Sequence, residues 1–293
     1  MKIAHIFSGQ GSQFVGMGKE LYYTNDQAKD LFDIGNEILG YSITDIMFNG
    51  PIEELNQTQV TQPAIFLYST ILSKIRLETQ PSMVAGHSLG EISALVANKT
   101  LTFEDGLRLV FKRAGFMQDA CHVPSAMAAI LGLDDCKVIE ICEAIDEFVV
   151  PANFNCPKQV VISGSKNGVN KACEQLHIAG AIKIVHLPVS GAFHSKLMEP
   201  AKSKFSDEVY KTKFIVGICP VYQNIDAKPS IEPSEIQHKL IEQITSPVMW
   251  TSTIERMIKD GAESFVEFGP GKVLQGLIAR INKNIHYGSP SSH

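Results

Sequence analysis

The stretch MVAGHSLGEI, residues 83–92, sets Ser88 between Gly86 and Gly90 in a G-x-S-x-G frame. That spacing is the nucleophile elbow of several unrelated serine enzymes. A short apolar run precedes it, and Leu89, Ile92, Leu95 and Val96 follow at helical spacing. A serine on such a strand-to-helix turn presents its hydroxyl at the carboxyl end of a sheet, where open α/β sheets place ligands. The flanking glycines let backbones pack against a tight turn. The first N–H groups of the helix, at the positive end of its dipole, face any oxyanion that forms there, and the Leu89 N–H is the natural donor. The chemistry would be acyl transfer or hydrolysis through a serine ester. An ordinary Gly-Ser turn explains the same letters, but the strand before and the helix after favour the nucleophile.

A serine hydroxyl needs a base to attack anything. His87 is adjacent in sequence, but neighbouring side chains in an elbow point apart, so His87 reads as a residue packed behind the turn. His194, in SGAFHS, follows a predicted strand directly and sits among small residues that let it project into a cleft. The residues alone leave its role open. Arg113 raises a separate question. On a helix running from about Phe103 to Cys121 it shares a face with Val110 and Met117. An arginine on an apolar stripe either snorkels to the helix edge or aims its guanidinium into a cleft to grip a carboxylate bidentately. Spacing does not separate the two.

These residues need a scaffold. The chain has 293 residues, with 44% hydrophobic and 19% charged, enough for a large domain with a smaller one inserted, or for two domains. Residues 2–7 (KIAHIF) read as a buried strand. Helices fit 26–39 and 63–77, the second opening on Pro63 as its first residue. SMVAG is a strand. Strands alternating with helices predict an α/β domain with a mostly parallel sheet covered on both faces. Residues 125–190 change character to βαββαβ, the ferredoxin-like order. The expected organisation is therefore a hydrolase-like α/β core from 1–124 and 191–293, with a ferredoxin-like subdomain inserted at 125–190. A helical stretch near 195–210, a Pro- and Ser-rich loop over 220–234, helices near 234–244 and 251–260, the strand SFVEF and a helix from Lys272 complete the core. The tail GSPSSH reads as a disordered end or a cloning remnant.

A net charge of −5 and a pI near 6.0 argue against nucleic acid as a partner. Six cysteines without C-x-x-C or zinc-type spacing read as mostly buried thiols in a reducing compartment. The apolar N-terminal run is too short for a signal peptide, and no run approaches a membrane span, so the expected location is the cytoplasm.

With these residues in view, the chain resembles the malonyl-CoA:acyl carrier protein transacylases. FSGQGSQ, TQPA at 61–64, GHSLGE, KRAGFMQ at 112–118, GAFHS at 191–195, SPVMW at 246–250 and EFGPGKVLQGL at 267–277 match that family in order along nearly the whole chain. The resemblance implies transfer of a malonyl group from malonyl-CoA to the phosphopantetheine thiol of acyl carrier protein, for fatty acid or polyketide synthesis. It also implies no cofactor, no metal, no membrane and a monomer. By position it makes Ser88 the acyl carrier, His194 the base, the N–H groups of Gln10 and Leu89 the oxyanion hole, and Arg113 the partner of the malonyl carboxylate. Gln62 would line the site, Gln243 would hold the histidine through its backbone carbonyl, and Asn153 and Asn155 would lie near the site. Phe193 stands where malonyl-selective members carry an aromatic. Two positions depart from the usual pattern: Ser8 replaces a common proline, and Ala114 precedes Gly115 where glycine usually comes first.

Three rivals remain to be weighed. An α/β-hydrolase would need a His-Gly-Gly-type loop that the chain lacks. A patatin-like Ser-Asp lipase could use Asp260-Gly261-Ala262, although a glycine helix stop is the plainer reading there. A non-catalytic carrier-docking module would not need Ser88, His194 and Arg113 together. Lys166, Lys171, Lys196, Lys202 and Lys204 form a candidate basic surface for an acidic carrier.

Overall fold

The computed structural model describes residues 2–76, 80–121, 123–189 and 191–290. Along the chain it runs β1 (Ile3–Phe7), α1 (Lys19–Thr24), α2 (Asp26–Leu39), α3 (Ile43–Asn49), α4 (Ile52–Leu55), α5 (Thr58–Ile75), β2 (Met83–Gly86), α6 (Gly90–Ala97) and α7 (Phe103–Asp119). The second sheet's segment follows as β3 (Ser125–Leu131), α8 (Asp135–Glu143), β4 (Val149–Cys156), β5 (Gln159–Ser165), α9 (Lys166–Ile178) and β6 (Lys183–His186). The chain closes with α10 (Glu199–Lys211), β7 (Val221–Tyr222), β8 (Pro229–Ser230), α11 (Pro233–Glu242), α12 (Trp250–Lys259), β9 (Ser264–Phe268), α13 (Val273–Ile281) and β10 (His286–Gly288). Short 3₁₀ turns occupy Lys196–Met198 and Gln243–Thr245.

Among the described residues one sheet has the order β10-β9-β1-β2-β7-β8, parallel except for β8 against β7. Period-two alternation sorts its side chains. Phe7 and Val84 enter a core with Leu89 and with Phe66, Ile92 and Leu107 of the helices on one face. Ala4, Ile6, Met83 and Ala85 enter another with Trp250, Ile254 and Leu277 on the opposite face. Burying a side chain such as Ile6 contributes about 1.5–3 kcal/mol, so both faces of β1 hold the layers together. The second sheet, β4-β5-β3-β6, is antiparallel throughout. That is the strand order of a ferredoxin-like βαββαβ unit. Ala128, Ile130, Val160 and Ile162 face its own helices. Met127, Ala129 and Val161 face the larger core, which turns that side of the sheet into one wall of a cleft. Phe154 N–H donates to Val248 O and Val248 N–H to Ala152 O, both at 2.9 Å, and tie the two sheets' segments together.

The sequence placed α2 at its observed limits, and erred at α5. That helix begins five residues earlier, at Thr58, so Pro63 lies inside it; Leu77, its expected end, lies outside the described residues. The missing Pro63 N–H would have met the carbonyl of exposed Gln59, while Val60, Thr61 and Ala64 bury against the core, and burial outweighs the proline. Of the tail, Gly288 pairs with Val266 at the edge of the parallel sheet, and residues 291–293 lie outside the described residues. β7, β8 and β10 are too short to carry a period of their own.

Candidate active site

The glycines around Ser88 are explained by contact. A Cβ on Gly86 would lie 1.9 Å from the Gly90 carbonyl carbon, and one on Gly90 would lie 2.2 Å from Phe7 O. The turn therefore folds onto itself and onto β1. Ser88 takes a left-handed φ of 53°, and His194 one of 58°. Holding a non-glycine residue there costs about 1–3 kcal/mol. Two strained residues meeting at one point need a surround that fixes both.

They meet directly. The Ser88 hydroxyl donates to His194 Nε2 at 2.8 Å across 106 residues of sequence. His194 Nδ1–H donates to the Gln243 backbone carbonyl at 2.9 Å. A carbonyl only accepts, so it fixes the tautomer that leaves Nε2 as the proton acceptor. Burial first, and the Arg113 charge second, push the imidazole down to about 3, so it is neutral near pH 7. The usual carboxylate third member is absent from this arrangement.

Arg113 does not snorkel. It is 1% exposed, and its Nη2 donates to Ser88 Oγ at 3.1 Å and to Gln243 Oε1 at 3.0 Å, while Nη1 donates to Gln62 Oε1 at 2.7 Å. Its Nε–H is buried without a partner among the described residues. Burial lowers it to about 10, opposed by the charge of buried Glu91, and it stays a cation. A buried guanidinium bonded only to neutral groups is a site prepared for an anion.

The N–H groups of Gln10 and Leu89 have no hydrogen-bond acceptor among the described residues. Gln10 stands on the loop after β1 and Leu89 directly before α6. Ser8, the departure noted above, strengthens that loop. Its hydroxyl donates to buried Glu267 at 2.9 Å and its N–H to Phe268 O at 3.3 Å. A proline offers neither donor.

A cleft of about 210 Å³ opens beside Ser88 and His194, with Gln10, Gln62, Met117 and Phe193 among its lining residues. The far wall includes Met127 and Val161 of the second sheet. His87 corrects its sequence reading. It is not packed behind the turn but lines this cleft, with Nε2 2.8 Å from Asn155 Oδ1 and its ring edge-on to Trp250. Asn153 bridges to Val248 and shares that wall. Asp260 caps α12, followed by Gly261 at φ 101°; its carboxylate accepts from Arg256 and the Tyr222 hydroxyl, neither of them a serine. Of the five lysines proposed as a basic surface, Lys171 pairs with Glu147 and Lys202 with Glu242. Lys166, Lys196 and Lys204 are exposed, and Lys204 lies over the Phe116 ring.

Two residues escaped the sequence reading. Glu91, in the first turn of α6, looks like an ordinary exposed helix-start acid, yet it is fully buried. Its carboxylate accepts from Asn224 N–H at 2.8 Å and Gln223 Nε2 at 3.0 Å, and burial raises its pKa. Asn224 lies in the stretch read only as a Pro- and Ser-rich loop. No local pattern marks either. Among the described residues, no group of three or more His, Cys, Asp or Glu is arranged to hold a metal ion, and no helix is long and apolar enough to cross a membrane.

Comparison with known proteins gives this site its relatives. Residues 4–288 match the family described as acyl transferase domain. The malonyl CoA-acyl carrier protein transacylase of Bacillus subtilis strain 168 is 43% identical over 292 residues, 97% of this chain and 92% of that protein. The protein of the same name from Staphylococcus aureus strain MRSA252 is 40% identical over 290 residues, 97% of this chain and 94% of its own length. A crystal structure of an acyl carrier protein S-malonyltransferase from Vibrio cholerae superposes with a TM-score of 0.95 at 40% identity, covering 100% of this chain and 98% of that one. A malonyl-transacylase in complex with its holo type II PKS acyl-carrier protein superposes with a TM-score of 0.95 at 36% identity, covering 100% and 97%. Sequence and architecture agree along the whole chain: it belongs to the acyl transferase domain family, among the malonyl CoA-acyl carrier protein transacylases.

Proposed function

We propose that this chain moves a malonyl group from malonyl-CoA to the phosphopantetheine thiol of acyl carrier protein through an ester on Ser88. One oxygen carries the proposal. Ser88 Oγ contacts His194 Nε2 at 2.8 Å and accepts from Arg113 at 3.1 Å, so a base and an anion-binding cation converge on it.

In the first half-reaction His194 Nε2 takes the Ser88 proton as Oγ attacks the thioester carbonyl. The N–H groups of Gln10 and Leu89 hold the oxyanion, and each such donor is typically worth about 3–4 kcal/mol. The C–S bond breaks, and the leaving thiolate takes the proton from His194 as free CoA. In the second half, His194 takes the proton of the carrier's pantetheine thiol, the sulfur attacks the ester, and the proton returns to Ser88 Oγ. Arg113 pairs with the free carboxylate of the malonyl group, with Gln62 and Gln243 orienting the fork and Phe193 closing the acyl side. The acyl group arrives activated as a thioester, so the steps use only this chain and its two substrates. We further propose that residues 1–124 with 191–293 form one unit and 125–190 a second, meeting at the cleft. We place the enzyme in the cytoplasm as a monomer; Cys142, Cys156, Cys173 and Cys219 are buried thiols, which fits a reducing compartment.

Intact mass tests the proposal. Incubation with malonyl-CoA is expected to add one malonyl group, and addition of holo acyl carrier protein to remove it onto the carrier. Free malonate released without transfer would mean a hydrolase. No adduct would mean a module without this chemistry.

The pH response follows from His194. Free histidine titrates near 6.5, whereas the buried ring stays neutral down to about 3. The kcat/KM for malonyl-CoA, which reports the base of the free enzyme, is therefore expected to be level from pH 8 to 5 in a transfer assay. A fall centred near 6.5 would mean that the base titrates freely. Stability moves in a linked direction: between 6.5 and about 3 the unfolded chain binds a proton at this site that the folded chain does not, so stability drops as pH falls through that window.

A further inference from the structure

The turn that carries Ser88 outruns its sheet. β2 pairs with β7 only at Val84↔Val221 and Ala85↔Tyr222, and β7 ends at Tyr222. Beyond that point one side of the elbow is still held by β1, through His87 N–H to Phe7 O at 3.0 Å. Among the described residues, the other side has no strand. Its place is taken by one side chain. Asn224 Nδ2 donates to Gly86 O at 2.7 Å, and Asn224 Oδ1 accepts from Ser88 N–H at 2.7 Å.

Those two groups straddle His87. In a parallel ladder, a residue on one strand bonds the carbonyl and the N–H of two residues that flank a single position on its neighbour. The carboxamide of Asn224, planar with one donor edge and one acceptor edge like a peptide unit, reproduces that pairing. A carboxylate of the same shape lacks the donor for Gly86 O, and an apolar side chain lacks both. Asn224 is itself anchored, with its N–H on Glu91 Oε2 at 2.8 Å, and Glu91 opens the helix that the elbow starts. The loop is closed: elbow to α6, α6 through Glu91 to Asn224, Asn224 back to the elbow. Gly86, Glu91 and Asn224 are buried, and Ser88 is half-buried.

We propose that Asn224 is a positioning residue that acts as a one-residue strand, its carboxamide holding the Ser88 backbone in its left-handed conformation and so aiming Oγ at His194. This rests on Ser88 being the nucleophile. Asn224 is placed to touch neither substrate; its partners are the elbow backbone, Glu91, the Met249 N–H, which donates to its carbonyl at 2.8 Å, and, at 3.4 Å, the Gln243 side chain.

A fluorophosphonate, which labels a serine nucleophile without malonyl-CoA or carrier protein, separates the two ideas. Its rate of attachment to Ser88 is read by mass in the wild type, Asn224→Ala and Asn224→Asp, with thermal melting and amide hydrogen exchange on the same samples. Misaiming a nucleophile by about 1 Å typically costs about 100-fold. Labelling of both variants is expected to slow by about that factor, with kcat for malonyl transfer falling in step, the KM for malonyl-CoA unchanged and the Ser88 amide losing protection in Asn224→Ala. The aspartate variant preserves the shape and keeps an acceptor for Ser88 N–H, so it carries the test if the alanine variant does not fold. Wild-type labelling in a folded variant overturns the positioning role. A wild type that is not labelled at Ser88 overturns the nucleophile, and the positioning role with it.

Discussion

Ser88→Ala is expected to leave the protein's mass unchanged after incubation with malonyl-CoA and to cut malonyl transfer by about 10⁶-fold, the magnitude typical when a serine enzyme loses its nucleophile. The substitution removes the one atom on which His194 and Arg113 converge. It should disturb little else. The Ser88 backbone keeps its bonds to Asn224 and Gln243, and alanine tolerates a left-handed φ about as poorly as serine does. Arg113 Nη2 keeps Gln243 Oε1 as an acceptor. A folded, inert protein is therefore the expected product, checked by intact mass beside a thermal melt. A malonyl adduct persisting in this variant would place the ester on another side chain and end the Ser88 assignment.

How the sequence disclosed this site follows from where each signal lies. Ser88 was legible because the elbow is local: two glycines, an apolar strand before and an amphipathic helix after lie within about a dozen residues. α2 was legible for the same reason, its apolar residues repeating on one face. His194 and Arg113 were visible as residues without a decided role, since their partners are 106 and 25 positions from them and only folding brings them together. Similarity along the chain implied roles that spacing could not. Gln243 came through as a backbone carbonyl, but its side chain, which links Arg113 Nη2 to the Ser88 carbonyl, did not. Asn224 and Glu91 were not legible. Their work is done in tertiary contacts, through a carboxamide standing in for a strand and a carboxylate buried in what looks like an exposed first turn. Pro63 misled because proline at a helix start is a local preference, and burial of the preceding turn is not local.

Arg113→Ala is expected to lower kcat/KM for malonyl-CoA by about 30- to 4,000-fold, corresponding to the 2–5 kcal/mol typically lost when one partner of a buried hydrogen-bonded charge pair is truncated. The same variant should accept acetyl-CoA better than the wild type does. In the wild type an acetyl methyl meets a buried cation that gains no counter-ion, with its Nε–H already unpartnered among the described residues; alanine removes that mismatch. The ratio of the two kcat/KM values, measured on one preparation, is the readout, and a malonyl preference that survived intact would sink the carboxylate assignment. Electrostatics adds a second reason for the same direction. The Arg113 charge helps burial to depress His194, so in the empty site the base is weak. A malonyl carboxylate on the guanidinium would cancel much of that field, and the imidazole is expected to become a better proton acceptor once the right acyl group is seated. An acetyl group brings no such cancellation, and the wild-type base stays weak against it. On this assignment Arg113 would select twice, by holding the carboxylate and by letting it raise the basicity of His194, and the alanine variant is expected to lose both forms of discrimination in one step.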